Sequence, residues 1–366
     1  MAIIVALALL AALPLSLRYL RAAGVLLRVV DLPDPTGLTD FAMGSVQEHE
    51  ERLELGHRAL RSRRYAPPDP APPTLLLHGV HPRGIDEPRL QRFARALSAA
   101  GLEVHTPELP ELIDYDVVPT TMDDIVACAR AVGEPRGRPV GAFGISFAGG
   151  LLLRAAARRD AEGLFDYLVA VGAHHSLRRL ATFYAGQPVY GPDGERAPGS
   201  PHPYGTRVII RAHAEQFFDA ADAPTARRAL GLYLGERYRR ARQEMAAMSP
   251  PGRALMEQVL DDTQRQEVSA RLLRAVQANR DALAAVSPAG KLTGLTVPTF
   301  LIHGREDPVI PYVETLWLGR ELPARARREV LVTPVLGHMD LSERLPPGEY
   351  VRVVRFVAEI LEEATN

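Results

Sequence analysis

Short apolar runs alternate along the chain with segments of helical pattern, and this alternation limits the folds open to it more than any other feature. The runs TLLLHG at 74, LEVHTP at 102, RPVGAFG at 138 and YLVAVGA at 167 are all separated by helical patterns. β-Rich runs separated by helices are typical of βαβ units, which form a parallel sheet with helices on both faces. The sequence therefore predicts an α/β fold with a doubly wound, mostly parallel sheet.

The alternation stops at about residue 174 and returns near residue 290. Between these points the chain is rich in proline and glycine at first and then almost wholly helical, and the strand pattern returns with VPTFLIHG at 297. A segment that interrupts a sheet and then returns to it is best interpreted as a cap inserted into one fold. The predicted domains are an N-terminal membrane anchor and amphipathic helix (1–30), a helical segment and proline-rich connector (31–72), the first part of the core (73–173), the cap (174–290) and the second part of the core (291–366).

The first residues of the chain are apolar and carry no charge. The stretch from Ala2 to Leu17 is just too short to cross a hydrocarbon layer of about 30 Å without its neighbours. It lacks the positive start and small-residue cleavage site of a signal peptide, so we favour a membrane anchor and keep a cleaved signal as the alternative. Arg18, Arg21 and Arg28 follow on one helical face, which suits a helix lying along a membrane surface and places the rest of the chain in the cytoplasm.

Composition excludes several functions. The formal net charge is −1, and the 43 basic residues are spread over the whole chain, so no basic patch indicates nucleic-acid binding. The lone cysteine, Cys128, excludes an internal disulfide and a cysteine-based metal centre. The adjacent His174 and His175 have no carboxylate at ligand spacing, so we expect no metal, and nothing in the sequence calls for a cofactor.

The segment GAFGISFAGG, from Gly141 to Gly150, sets Ser146 between a predicted strand and a predicted helix. A strand-to-helix turn of small residues is the context of a nucleophile elbow, which exposes a serine hydroxyl at the edge of the sheet. The usual motif has glycine two residues after the serine, where this chain has Ala148. Taken alone, the segment is equally compatible with a tight glycine-rich helix start.

Two later loops supply partners for Ser146. A serine needs a base, and the base needs a third group to orient it. Asp307 follows the predicted strand at 297 and His338 follows the predicted strand at 329. Asp307 could simply form a turn before Pro308. His338 is one of eleven histidines, most of which are expected to be solvated or packed in the core. Glu306 or Asp340 could also take the role of Asp307. We predict Asp307 because of its place after the strand.

A tetrahedral intermediate also needs donors for its oxyanion. The N–H of Phe147, directly after the serine, is one candidate. The segment LLLHGVHPRG, which ends an early strand, supplies the second through the N–H of Val80. Each signal is weak alone, but all of them occur in order at the carboxyl ends of predicted strands.

With these motifs, residues 73–173 and 290–364 resemble the α/β-hydrolase fold superfamily, and in particular bacterial esterases and dienelactone-hydrolase-like members with a large cap. The resemblance implies that Ser146 is the nucleophile, His338 the general base and Asp307 its orienting acid, with Val80 and Phe147 forming the oxyanion hole. The antiparallel strands that usually precede the first His-Gly loop are missing, because residues 45–64 have a helical pattern. We therefore expect a trimmed sheet of about six strands.

The resulting hypothesis is a membrane-associated serine hydrolase that cleaves a carboxylic ester, apolar or lipid-derived, through an acyl-enzyme. His81, His174 and His175 are candidates for substrate contact, because they follow strands near the expected site. An acyltransferase with the same triad is the alternative within enzymes, and a non-catalytic binding module on the same scaffold is the alternative outside them. The sequence leaves the oligomeric state open.

Overall fold

The computed structural model describes residues 17–30, 37–262, 265–336 and 347–365 of the chain. Within these residues the apolar runs form strands and the segments between them form helices, which confirms the predicted α/β class. The strands are β1 (Gln47–Glu54), β2 (Ala59–Ala66), β3 (Pro73–Leu77), β4 (Glu103–Pro107), β5 (Val140–Ile145), β6 (Phe165–Val171), β7 (Thr299–Gly304) and β8 (Arg327–Thr333).

The strands form one sheet in the order β1-β2-β4-β3-β5-β6-β7-β8. Six strands, β4, β3, β5, β6, β7 and β8, form a parallel sheet. At its β4 edge, β2 pairs antiparallel with β4, and β1 pairs antiparallel with β2. The carboxyl ends of the parallel strands therefore meet at one edge, where open α/β sheets bind their ligands. The loops after β3, β5 and β7 all leave the sheet from this edge.

The prediction of a six-stranded sheet with a helical segment over 45–64 is wrong. Residues 47–66 form the hairpin of β1 and β2, which extends the parallel sheet by two strands. The hairpin closes through a hydrogen bond of 2.8 Å from the Leu55 N–H to the Arg58 carbonyl, and Gly56 has a φ of 84° in the turn. The proline-rich stretch that was predicted to connect a helix to the core joins β2 to β3 instead.

The hairpin places charged, helix-forming residues in strands, where β1 and β2 pair with each other and β2 also pairs with β4. Glu50 of β1 accepts hydrogen bonds from Arg63 at 2.8 Å and from Arg61 at 3.2 Å, both on β2. Leu53 is the one buried side chain of β1, as expected for an edge strand, which carries charges on both faces. Helix propensity is a weak preference, and tertiary pairing overrides it at this edge.

Helices cover both faces of the sheet. They are α1 (17–29), α2 (Leu38–Ala42), α3 (Pro88–Ala99), α4 (Pro110–Ile113), α5 (Thr120–Gly133), α6 (Phe147–Ala156), α7 (Leu177–Tyr184), α8 (Pro203–Ala212), α9 (Ala223–Leu234), α10 (Tyr238–Met245), α11 (Pro250–Leu260), α12 (Arg265–Ala278), α13 (Arg280–Ala285), α14 (Val313–Glu321) and α15 (Pro347–Glu363). Successive side chains of β5 join opposite cores: Phe143 and Ile145 pack with α1, α3 and α15, whereas Ala142 packs with α5 and α6.

The helix α1 is docked on the folded domain. Ala22 and Val25 are buried in the core shared with α3 and α15, and Arg18 forms an ion pair with Glu362 of α15. All residues of 17–30 are buried or half-buried, and a place of this helix along a membrane surface stays a prediction. No helix in the described part of the chain is long and apolar enough to cross a bilayer, and residues 1–16 of the predicted anchor lie outside that part.

Between β6 and β7 the chain leaves the sheet and forms the helices α7 to α13, which we call the cap. Two carboxylates of α14 hold its two ends. Glu314, which is fully buried, accepts hydrogen bonds of 2.8 Å from the N–H groups of His175 and Ser176, where the cap begins. Glu321 accepts one of 2.9 Å from the N–H of Leu292, where it ends. The cap is therefore attached to the core at two neighbouring points.

Candidate active site

Ser146 lies at the turn between β5 and α6 and has backbone angles φ 57° and ψ −126°. Residues other than glycine rarely adopt this backbone conformation, and such strain persists only where the surrounding structure imposes it. Here the Ser146 N–H donates to the Val171 carbonyl at the end of β6, at 2.8 Å, while α6 starts at the next residue. This conformation is the strained turn that the sequence motif predicted.

Glycines at two positions allow the strand and the helix to approach closely enough for this turn. A Cβ atom added to Gly144 would lie 2.6 Å from the Cα atom of Gly149, and one added to Gly149 would lie 2.8 Å from the Cβ of Ala173. Ala148 stands where the usual motif has glycine, and its Cβ atom is accommodated in a fully buried position. The closest contact between helix and strand is made by Gly149, one residue after the position at which the usual motif has glycine. The alanine at position 148 therefore leaves the turn intact.

His78 fixes the loop that follows β3. The Leu109 N–H donates to its Nε2 at 2.9 Å, so the ring proton is on Nδ1, which donates to the Gly79 carbonyl at 2.8 Å. Burial lowers the pKa of His78 to about 4, which keeps this neutral tautomer at pH 7. The side chain thus ties the loop both to itself and to the segment after β4.

The same loop brings Val80 next to the serine turn. A Cβ atom added to Gly79 would lie 3.2 Å from the Cβ of Ser146, a tight contact, so glycine favours this close approach. The hydroxyl of Tyr204, on cap helix α8, donates to the Val80 carbonyl at 2.8 Å and fixes the orientation of that residue. Phe147 opens α6, and the first N–H groups of a helix have no partner within it. The two predicted oxyanion donors therefore belong to adjacent backbone segments.

Asp307 is buried in the loop that follows β7, with 4% of its surface exposed. Its Oδ1 accepts hydrogen bonds from the N–H groups of Val309 and Ile310, at 2.8 Å and 2.9 Å. The neighbouring Glu306 is exposed to solvent. Because only Asp307 is held inside the sheet edge, the structure favours it over Glu306 as the carboxylate of a site.

Sequence analysis missed His303, which supports Asp307 from the end of β7. Its Nε2–H donates to the Ile310 carbonyl at 2.7 Å and lies 3.4 Å from Oδ2 of Asp307, and its Nδ1 accepts from the Thr315 hydroxyl at 2.6 Å. The histidine is fully buried. The His-Gly dipeptide that ends β7 repeats the one after β3, and that repetition was the available signal.

The end of β6 links the serine and the aspartate. The carbonyl of Val171 holds the Ser146 N–H, and a Cβ atom added to the next residue, Gly172, would lie 3.6 Å from Oδ2 of Asp307. His338, the predicted base, lies outside the described residues, as does Asp340. The structure thus places two members of the predicted triad at one edge of the sheet, and the third stays a prediction.

A cavity of about 420 Å³ opens in front of Ser146. Its walls come from the loops after β3 and β7 and from the start of α8, and they include Gly79, His81, Pro308, His202 and Tyr204. The predicted contact residue His81 therefore faces the same space as the serine, and burial lowers its pKa. Tyr204 and His202 belong to the cap segment SPHPYG at 200–205, whose sequence is equally compatible with lining the inner face of the cap and with packing in the cap core.

His174 and His175 lie away from this cavity, which corrects their prediction as substrate contacts. His174 is fully buried beneath α6, with its ring centre 5.7 Å from that of Phe147. His175 donates from Nε2 to Glu321 at 2.6 Å and accepts at Nδ1 from Arg179 at 3.0 Å, so both ring nitrogens serve the attachment of the cap. Among the described residues, no cluster of three or more His, Cys, Asp or Glu side chains could hold a metal ion.

The buried His174 predicts a loss of stability in mild acid. Its Nδ1 has no hydrogen-bond partner, and burial lowers its pKa to about 4. The unfolded chain takes up the proton below about pH 6.5, so the stabilisation is complete above that pH and is lost as pH falls towards 4. Between pH 7.5 and pH 4 the free energy of unfolding of the parent protein should fall by about 3 kcal/mol because of this group, and His174→Leu should lack that fall. The measurement is urea unfolding of both proteins from pH 4 to 7.5.

The exposed His49 of β1 provides the matched control, because the same replacement there changes no buried group. His49→Leu is expected to follow the parent protein at every pH. An unchanged slope in His174→Leu would contradict the assignment of a buried, neutral ring.

The chain matches a known protein family. The model of the Alpha/beta hydrolase family matches residues 74–353, which include both halves of the core and the cap. None of the curated proteins matches the chain.

Several solved structures are similar to this chain. A 2-hydroxy-6-oxo-6-phenylhexa-2,4-dienoate hydrolase from Rhodococcus sp. strain RHA1 is 17% identical over 88% of this chain and 100% of that chain, with a TM-score of 0.46. A dienelactone hydrolase from Anabaena variabilis ATCC 29413 is 18% identical over 86% and 96%, with a TM-score of 0.44. A serine hydrolase from Cycloclasticus zankles is 14% identical over 84% and 94%, with a TM-score of 0.44. Since the family model spans more than half of the chain, this protein belongs to the Alpha/beta hydrolase family and is an enzyme of the hydrolase type.

Proposed function

We propose that the protein is a serine hydrolase that cleaves carboxylic esters through an acyl-enzyme on Ser146. The observation that carries the proposal is the strained backbone of this serine, with φ 57°, at the wall of a cavity on the carboxyl edge of the sheet. Strain of this kind is retained where it serves a site. A serine displayed on such a turn is placed to attack a carbonyl group in the cavity.

The reaction proceeds in two steps. The Oγ of Ser146 attacks the ester carbonyl and gives its proton to His338, which passes it to the departing alcohol as the C–O bond breaks. Water then attacks the acyl-enzyme, with the same histidine as base, and releases the acid and free Ser146. Asp307 holds the imidazole and balances its charge, and the N–H groups of Val80 and Phe147 stabilise the oxyanion.

The assignment of Asp307 agrees with its surroundings. The carboxylate is buried, and two backbone N–H groups stabilise its Oδ1, which leaves Oδ2 directed towards the side of the loop where His303 and Gly172 lie. A buried and fixed carboxylate is the form of acid that orients a catalytic imidazole. The exposed Glu306 has no such fixed geometry.

Tyr204 is proposed to connect the cap to the oxyanion loop, since its hydroxyl holds the Val80 carbonyl at 2.8 Å. Tyr204→Phe keeps the ring but removes this donor, so we expect kcat to fall about five- to tenfold while KM changes little. The exposed cap residue Tyr238 provides the matched control, and Tyr238→Phe is expected to leave both constants unchanged. A purely structural role for Tyr204 would lower the melting temperature and leave kcat as it is.

The test of the proposed function is a burst experiment with p-nitrophenyl esters. One equivalent of p-nitrophenol per enzyme should appear before the steady state, and a fluorophosphonate probe should label Ser146, as read by mass spectrometry of the peptide that contains it. Labelling of another residue, or hydrolysis with neither burst nor labelling, would refute an acyl-enzyme on Ser146.

We also propose that the apolar residues from Ala2 onward hold the enzyme at a membrane, with the catalytic domain in the cytoplasm. The support is their composition and the arginines that follow them. The full chain should sediment with membranes and stay there in carbonate, and a chain lacking residues 2–16 should not. Equal sedimentation of the two chains would refute the anchor.

A further inference from the structure

A second cavity, of about 220 Å³, lies between the sheet and the helices α1, α3 and α15. Its walls are mostly apolar and include Val25 and Val29 of α1, Phe93 of α3, Ile145 of β5 and Phe356 of α15, and Arg89 and Arg92 of α3 also line it. Asp307 borders the cavity at the carboxyl edge of the sheet. The cavity therefore runs from the docked N-terminal helix to the loop of the proposed catalytic acid.

The size and lining of this cavity indicate what it holds. Protein cores are close-packed, and an empty apolar cavity lowers stability in proportion to its volume. An apolar cavity of about 150 Å³ elsewhere stays dry and binds benzene, which has six carbon atoms. A space of 220 Å³ therefore suits an alkyl chain of about eight carbons, and the mostly apolar walls favour such a chain over a sugar.

The cavity adjoins the one that contains Ser146. Leu90 and Ile145 line both spaces, and Ile145 directly precedes the serine. The two cavities therefore share a wall beside Ser146, and the alkyl chain of an ester bound there would have to pass Ile145 to enter the apolar cavity. The Ser146 cavity carries polar side chains that suit a reacting ester group, among them His81 and His202.

We propose that the apolar cavity binds an unbranched alkyl chain of the ester substrate, of about eight carbons, with the ester group at Ser146. This inference rests on the proposed esterase function and names its substrate class. The chain is either the acyl or the alcohol part of the ester. In both cases the helix α1 forms one wall of the substrate site.

The test changes the cavity at Val25, which is 2% exposed. Val25→Phe fills it and Val25→Ala enlarges it, whereas Leu27→Phe places the same ring on α1 outside the cavity lining. The parent enzyme is expected to prefer chains of about eight carbons. The filled variant should lower kcat/KM for that chain at least tenfold and keep activity on the two-carbon ester, and the enlarged variant should shift the optimum to longer chains. General misfolding would not shift the two optima in opposite directions.

Two ester series identify the part that carries the chain. In p-nitrophenyl esters the acyl chain varies, and in alkyl acetates the alcohol chain varies, so the series that responds to Val25 names the source. If neither series responds, the inference is wrong while an observed burst would still support the esterase function.

A binding experiment separates the inference from catalysis. Octanoate should displace 1-anilinonaphthalene-8-sulfonate from the Ser146→Ala variant, and the additional Val25→Phe change should weaken octanoate binding at least tenfold. Such binding without any ester hydrolysis by the parent enzyme would refute the proposed function and retain the site. Equal octanoate binding with and without Val25→Phe would overturn the site.

Discussion

Replacing Ser146 by alanine is expected to lower kcat for ester hydrolysis by about 10⁶-fold, the loss seen when a serine protease loses its nucleophile. The pre-steady-state burst should disappear with it. Alanine has no oxygen that can form the acyl-enzyme, so only stabilisation by the oxyanion donors and substrate binding remains. The measurement is kcat with a p-nitrophenyl ester of the preferred chain length, together with the melting temperature.

Stability should not fall in this variant. The Ser146 N–H keeps its hydrogen bond to Val171, and the small side chain of alanine fits the same buried turn. Ser176→Ala provides a comparison at a serine that caps the helix α7 and lies outside the Ser146 cavity. It should lose stability of about 1 kcal/mol and little activity. Substantial hydrolysis by Ser146→Ala would show that the reaction takes place elsewhere.

Replacing Asp307 by asparagine is expected to lower kcat by about 10⁴-fold, as when a triad carboxylate becomes an amide and the histidine adopts the wrong tautomer. The amide oxygen can still accept from the N–H groups of Val309 and Ile310, so the loop should keep its shape. The charge that balances the imidazolium is lost. The measurement is kcat for a p-nitrophenyl ester from pH 6 to 10, in this variant and in the parent enzyme.

The neighbouring carboxylate provides the control for Asp307. Glu306→Gln removes the same charge one residue away, on an exposed side chain, and should change kcat less than twofold. Melting temperatures of the two variants should agree within a few degrees of the parent. If Glu306→Gln were the inactive variant, the choice between these two adjacent acids would have to be reversed.

The sequence predicted the parallel part of the fold because each buried strand is a continuous apolar run. Residues of β3, β5 and β7 are buried throughout, so their patterns have no alternative interpretation as surface helices. It failed at β1 and β2, where Glu50, Arg61 and Arg63 are good helix formers. Their strands depend on pairing between β1 and β2 and between β2 and β4, and the helix propensity of single residues contains no information about such pairing.

The candidate site divides in a similar way. Ser146 and Asp307 could be predicted because each follows a strand whose pattern is clear. Tyr204 could not, because it meets Val80 across 124 residues and comes from a cap with no regular pattern. His174 and His175 were misassigned since their position after β6 resembles that of a site, whereas their rings point into the protein and serve packing and the attachment of the cap.

The two-point attachment of the cap to α14 has a consequence for how this enzyme can change. The Ala289 N–H donates to the His175 carbonyl at 3.1 Å, so the chain departs from the core and returns to it at nearly the same place. A segment with adjacent ends can be lengthened, shortened or exchanged at small entropic cost, because the separation that it must span stays the same. Grafting a cap from another family member between residues 176 and 289 should therefore replace the cap walls of the Ser146 cavity while the sheet, the serine turn and the Asp307 loop fold unaltered.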